Sequence, residues 1–411
     1  MHATASIDHT RTTETRPPGG ATPVPPRNLA VDAYRGLVML LMMGEVMQFA
    51  AVSHAYPGSL FWRVLAWNQT HVPWAGMSLH DTIQPGFTFL VGVALPYSIA
   101  SRARKGESFR RQLAHAVWRS FLLVILGIFL RSISRPITYF TFEDTLTQIG
   151  LGYTFAFVLA YCKPKWQWTA LGAILFGYWL AWALYPAPGP NFDYASVGVP
   201  AGWTHNFTGF ASHWNMNSNL GQAFDLWFLN LFPRVSRFVF NDGGYLTLSF
   251  IPTLGTMLLG LRAGEWFRAA APKIPIRKLL IAGALLILSG LVLHFTGICP
   301  IVKRIWTPAW TLFSGGVCMY FLAAFAWIVD VKGYRRWTFP LVVVGMNSIA
   351  AYLIAHLWED FFITNLHVNF GHRIFQIFGM GLQPLMLGIM VMLLYWFCLY
   401  WMYSKRLFLR I

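Results

Sequence analysis

His71, His80 and Asp81 stand close together in the segment His71-Val-Pro-Trp74-Ala-Gly76-Met-Ser-Leu-His80-Asp81-Thr-Ile-Gln-Pro85-Gly-Phe87-Thr-Phe89. An imidazole with a pKa of about 6.5 gains and loses protons at neutral pH, which suits general acid–base catalysis. A carboxylate beside it can fix its tautomer and orientation. Asp81 lies ten residues from His71, so that pairing depends on the fold. A solvated loop histidine is the plainer reading of the same residue. His80 and Asp81 are also metal-ligand types, but two ligands are too few for a zinc site, and no metal is expected.

Other polar residues fall inside strongly apolar runs, where each needs a partner or a purpose. Glu45 lies ten residues beyond Arg35, about 15 Å along a helix axis. It joins His71 and Asp81 as a candidate catalytic group. Asp32 and Arg35 are three apart, spaced to face each other on a helix, either as an ion pair or as part of a ligand contact. Arg119 sits within an apolar run, placed either to reach the surface along its own stem or to meet an anionic ligand. Gln148 and Asn347 bring amides into apolar surroundings, as helix-to-helix glue or as ligand contacts. Trp74 and His356 are candidate acceptor contacts.

The elements that must position these residues are membrane spans. Ten apolar segments are long enough, at roughly 34–52, 83–100, 113–131, 146–162, 167–186, 245–262, 279–297, 308–329, 338–357 and 381–403. The expected fold class is all-α, a bundle of about ten transmembrane helices with both termini cytoplasmic. Lys and Arg fix that orientation. With the N-terminus inside, 21 of the 31 Lys and Arg fall on the inner side. The same reading makes 1–28 a disordered cytoplasmic tail, 29–411 the membrane domain and 187–244 a long outer loop. Near 220–232 that loop carries an amphipathic pattern suited to a helix lying along the interface.

Composition agrees with lipid as the solvent. Of 411 residues 56% are hydrophobic and 11% charged, against roughly 25% charged in soluble domains. The net charge of +16 follows from the basic inner connections and needs no nucleic-acid partner. The four cysteines show no metal or redox spacing.

Several strings resemble the heparan-α-glucosaminide N-acetyltransferase family, a branch of the transmembrane acyltransferases with bacterial members. They include Asp32-Ala-Tyr-Arg35-Gly36 and the histidine segment through His71, Trp74, Gly76, Asp81, Pro85, Phe87, Phe89 and Gly92. Trp118-Arg119-Ser120-Phe121, Leu146-Thr-Gln148-Ile-Gly150, Ile305-Trp306-Thr307 and Gly345-Met346-Asn347-Ser348-Ile349 extend the likeness. It runs from about residue 29 to the C-terminus. Two departures stand out: Val46 where the family often has Asn, and Gln148-Ile149 where relatives carry Gln-Arg.

The resemblance implies a multi-pass protein of the inner (plasma) membrane, in homodimeric form among relatives. It also implies acetyl transfer from cytoplasmic acetyl-CoA to an amino sugar or other glycan acceptor on the outer side. His71 is the implied catalytic histidine. Arg119, Arg35, Gln148 and Asn347 are the expected acetyl-CoA contacts. A transporter or flippase for a polar solute is the rival reading of the same buried polar groups.

Overall fold

The computed structural model describes residues 28–409, so the expected tail lies outside them except for Asn28. Helix α1 (Leu29–Met43) starts where the Asn28 side chain accepts the Val31 amide. A 3-10 turn, Gly44–Met47, leads to a 42° bend and then α2 (Phe49–Ala55). Gln48 makes the corner in the left-handed region, φ 49°. The bend removes backbone partners, and the Gln69 carboxamide at the end of α3 (Leu60–Gln69) replaces two of them. It donates to Gly44 O at 2.6 Å and accepts from Phe49 N at 2.7 Å.

Next come α4 (Ile83–Arg104), α5 (Phe109–Ser132), α6 (Thr145–Ala160) and α7 (Pro164–Leu184). After the long segment containing α8 (Leu220–Phe228) follow α9 (Phe250–Ala270), α10 (Ile276–Phe295) and α11 (Pro308–Phe325). The chain closes with α12 (Phe339–Met346), α13 (Ser348–Leu357), α14 (Glu359–Phe370) and α15 (Gln383–Ser404). The all-helical expectation holds for the described residues.

Each of the ten apolar segments contains a helix, but length and composition carry only five to seven as spans. Five qualify outright: His80–Arg104, Phe109–Ser132, Ile276–Phe295, Pro308–Val331 and Met380–Ser404. Two bent pairs make up the seven, α1 with α2 and α12 with α13, the latter bent by 70°. Helix α6 has 16 residues, short for a span. Helix α9 carries Arg262, Glu265 and Arg268 in its last turns.

Close backbone approach fixes the bundle. A Cβ on Gly260 would stand 1.9 Å from Phe89 O, so α9 and α4 touch main chain to main chain. A Cβ on Gly345 would stand 2.1 Å from Asp32 O, where α12 crosses the start of α1. Beside that crossing the Asn347 side chain donates to Leu407 O at 2.9 Å and accepts from Leu409 N at 3.1 Å. The first and last described turns therefore share one end of the bundle. The short connections 105–108, 161–163, 271–275 and 332–335 belong to that end. Lys105, Lys163, Lys273, Lys332 and Arg335 stand in them, and Arg102, Arg104, Arg110, Arg111, Lys165, Arg268, Arg277, Lys278 and Arg336 lie within a few residues of them.

The opposite end is built from longer segments. Trp74, Trp182, Trp214, Trp306 and Trp310 form a second core there, all buried, beneath the segment between α7 and α9. Helix α8 falls where the amphipathic pattern places one. Its Gln222 and Asp225 are buried, while Trp227 and nearby Leu231 are exposed.

Candidate active site

The His71 loop joins α3 to α4 and folds around one carboxylate. Asp81 sits in a 3-10 turn, His80–Thr82, at the head of α4. Its Oδ2 accepts from Val72 N at 3.2 Å, Ser78 N at 3.0 Å and Ser78 Oγ at 3.0 Å. Its Oδ1 lies 2.7 Å from His71 Nδ1 and 3.1 Å from Lys303 Nζ. The Ser78 hydroxyl shares its one hydrogen with Thr70 O at 2.7 Å, but the four N–H donors alone leave no room for a proton on the two oxygens, so the carboxylate is ionised and its position is set. The Asp81 side chain is 1% exposed and Lys303 5%, whereas His71 at 36% opens outward.

Lys303 was not foreseen as a site residue. It arrives from the α10–α11 connection, 232 residues from His71 in the chain. That connection is locked to the His71 loop by an antiparallel bridge between Ala75 and Val302 and by Gly76 N donating to Ile301 O at 3.1 Å. Thr307 Oγ1 holds the turn from within, donating to Pro300 O at 2.6 Å and accepting from Val302 N at 3.2 Å. Tyr178 Oη donates to Ile305 O at 2.9 Å. Arg304, its neighbour, donates to Gly243 O at 2.7 Å and so ties in the long segment. The sequence held one signal: Lys303 and Arg304 are adjacent cations at the end otherwise poor in positive charge.

These contacts assign the protons. Asp81 Oδ1 can only accept, so His71 Nδ1 carries hydrogen and donates to it. Lys303 then donates to the same oxygen and lies 3.0 Å from Nδ1 without bonding it. The lone pair of the neutral ring is therefore on Nε2. Burial pushes the His71 pKa down; the bond to Asp81 opposes this, and the charge of Lys303 adds to it. The ring is thus neutral at neutral pH, the form that can take a proton or attack a carbonyl. Burial likewise lowers Lys303, with Asp81 holding it up.

A cavity of about 680 Å³ opens beside His71. Glu45, His80, Arg131, Glu143, Tyr245, Lys303, Tyr352, His356 and Glu359 are among its walls. Glu45 projects from the break between α1 and α2 and pairs with His80 Nε2 at 2.9 Å. The His80 and His71 rings stand 4.6 Å apart. His356 stacks on Tyr352 at 4.1 Å, and its Nδ1 donates to Tyr352 O at 2.9 Å. Among the residues singled out from sequence, His71, Glu45 and His356 line this cavity and Asp81 stands directly behind His71.

The others lie elsewhere. Trp74 is 1% exposed inside the second core, and its indole donates to Trp214 O at 3.0 Å. The Gln148 amide donates to Phe142 O at 2.7 Å and to Thr247 O at 3.2 Å, binding loops together. Asn347 holds the C-terminal strand of chain described above. Arg35 faces Asp32 at 3.4 Å, as its spacing suggested. Arg119 donates to Tyr153 Oη at 3.3 Å, with its guanidinium over that ring.

The fold and this geometry define a helical membrane protein with a histidine–aspartate–lysine site at one end of its bundle. The comparisons agree with the family resemblance read from the motifs. The chain is 26% identical over 377 residues to the human heparan-alpha-glucosaminide N-acetyltransferase, covering 82% of this chain and 54% of that protein. It is 25% identical over 371 residues to the mouse protein of the same name, covering 81% and 54%. The chain thus spans about half the length of the curated relatives it matches. No family model matches it.

Proposed function

We propose that the protein is a membrane-embedded acetyltransferase that moves an acetyl group from acetyl-CoA to the amine of an amino sugar or other glycan acceptor. The observation that carries this reading is the His71 imidazole held by Asp81, itself paired with Lys303, at a cavity, in a chain similar to two N-acetyltransferases. The basic end is the cytoplasmic face on the positive-inside rule, and the cavity then opens on the outer side of a plasma membrane. Of the ten apolar helices, those beyond the five to seven complete the bundle across the bilayer.

Acetyl-CoA is the acyl donor and approaches from the basic end, where Arg35 and Arg119 are the proposed phosphate contacts. Gln148 and Asn347 keep the helices around that path in place. At the cavity, His71 Nε2 takes a proton from the acceptor amine as it attacks the thioester, or itself attacks and passes the acetyl group on. Asp81 stabilises the imidazolium formed in either route. Glu45, paired with His80, accepts the proton that the site must release.

The test is release of CoA thiol by purified protein in lipid nanodiscs, with radiolabelled acetyl followed onto an amino-sugar acceptor. Acceptor-dependent release that His71→Gln abolishes supports the proposal. Full turnover by that variant refutes it.

A second reading, a carrier for a polar solute, is favoured by one observation. Both broken helices, α1/α2 and α12/α13, contribute side chains to the same cavity, as broken spans do at transporter binding sites. A carrier would leave acetyl-CoA intact.

A further inference from the structure

Charge is distributed unevenly around the cavity. Five carboxylates line it, Glu45, Glu143, Asp144, Glu359 and Asp360, against the cations Arg131 and Lys303. Lys303 is neutralised by Asp81 behind it. Glu45 holds His80, and Asp144 accepts the Leu146 and Thr147 amides at the start of α6. Glu143, Glu359 and Asp360 form no ion pair among the described residues. Glu359 and Asp360 occupy the first turn of α14, where the helix dipole favours acids. That placement accounts for their tolerance in the fold and leaves their field in the cavity. Near them in the chain the exposed His356 ring, stacked on the buried Tyr352, offers aromatic surface of the kind that sugar rings lie against.

Arg131 offsets part of the field at Glu143 and Asp144, and the carboxylates remain in excess. A cleft with such an excess of one sign concentrates ligands of the other sign and repels its own. Burial raises the pKa of Glu143 and of Glu359, which a bound cation would reverse. Resting on the acetyl-transfer reading, we propose that the acceptor enters as an ammonium and bears no sulfate or carboxylate near its amine. Glu143, Glu359 and Asp360 are its specificity residues. A glycan that carries such anionic groups beside its amine is then the wrong substrate for this cavity.

The chemistry balances. Two protons leave the acceptor nitrogen as its lone pair forms the C–N bond. The thioester C–S bond breaks, the departing thiolate takes one proton, and the other passes to solvent through the site.

The full chain in nanodiscs, at saturating acetyl-CoA, is given methyl β-glucosaminide, its 6-sulfate, and a glucosaminyl-uronate disaccharide. The expected result is a KM about tenfold or more higher for the two anionic acceptors, a gap that shrinks as salt rises. Glu143→Gln and the double variant Glu359→Gln/Asp360→Asn narrow that gap, mainly through KM. Equal use of the sulfated acceptor, or an unchanged preference in both variants while each still releases CoA, overturns the proposal. Thioester cleavage at one rate with every amine or none overturns it too, leaving the donor half of the reading intact. No CoA release under any condition brings down the acetyl-transfer reading itself.

Discussion

Replacing Lys303 with Met removes a buried ammonium that touches both members of the proposed catalytic pair. Two effects follow, and both raise the His71 pKa. The first is direct: a unit charge at 3.0 Å from Nδ1 disappears. In a fully water-like medium that charge is worth roughly 1.4 kcal/mol, and at an effective dielectric of about 20 roughly four times as much. His71 is 36% exposed, so the lower figure applies, equivalent to about one pKa unit. The second is that Asp81 loses a counter-ion but keeps Val72 N, Ser78 N, Ser78 Oγ and His71 as donors. Its field at the imidazole strengthens. The acid limb of kcat/KM, set in the native protein below the ordinary histidine value, should therefore move up by about one pH unit or more. The assay is acceptor-dependent thiol release from pH 5 to 9, with Lys303→Arg beside Lys303→Met and size-exclusion profiles to confirm folding. Lys303→Arg keeps the charge and should hold the limb near its native position. An acid limb that stays put, or moves down, in folded Lys303→Met refutes the proposed electrostatic role.

Other outcomes follow from the same geometry. Asp81→Asn keeps the shape but loses the ionised acceptor, and turnover should fall by about 10²- to 10⁴-fold in the same assay. Because burial depresses the His71 pKa, the unfolded chain binds more protons below about pH 6.5, and stability should fall as pH drops through the folded value. Thermal melts between pH 5 and 7.5 should show that slope, and His71→Gln should flatten it. Gln69→Ala leaves Gly44 O and Phe49 N without their side-chain partner and should cost about 1–3 kcal/mol, read as a lower melting temperature. Asn347→Ala should cost a similar amount and make the chain near Leu407 more sensitive to limited proteolysis.

The sequence made the site half legible. His71 and Asp81 lie in one segment, and turn residues such as Gly76, at φ 110°, bend it so that the carboxylate and ring meet. Glu45 stood out because a carboxylate in an apolar run demands an explanation. Lys303 showed only as one of two adjacent cations in an outer connection, because the partner that gives it a role lies 232 residues away. Gln148 and Asn347 illustrate the converse: an amide in an apolar run looks alike whether it meets a ligand or a backbone carbonyl. Only the path of the chain around Phe142, Thr247 and Leu407 decides. Hydropathy marked the ten apolar segments but not the two breaks, since Gln48 and Met346-Asn347 leave an apolar average almost unchanged. The positive φ of Gln48 is a property of the packed state.

Those breaks explain why the cavity lies where it does. A straight α1 would carry Glu45 past the cavity with its backbone fully bonded and its side chain directed by helical pitch alone. The 3-10 turn at Gly44–Met47 instead ends the ladder there, and Gln69 absorbs the orphaned groups. The 70° turn at Asn347 does the same for α13, sending Tyr352 and His356 to the cavity while the Asn347 amide pins the C-terminal residues. The first break is thus stabilised by the Gln69 amide and the second is tied to the C-terminal residues by the Asn347 amide, and each delivers a titratable side chain to the chamber beside His71. A membrane helix tolerates such interruptions only where protein replaces the missing hydrogen bonds. The residues that close the breaks are therefore as necessary to the chemistry as the residues that face the acceptor.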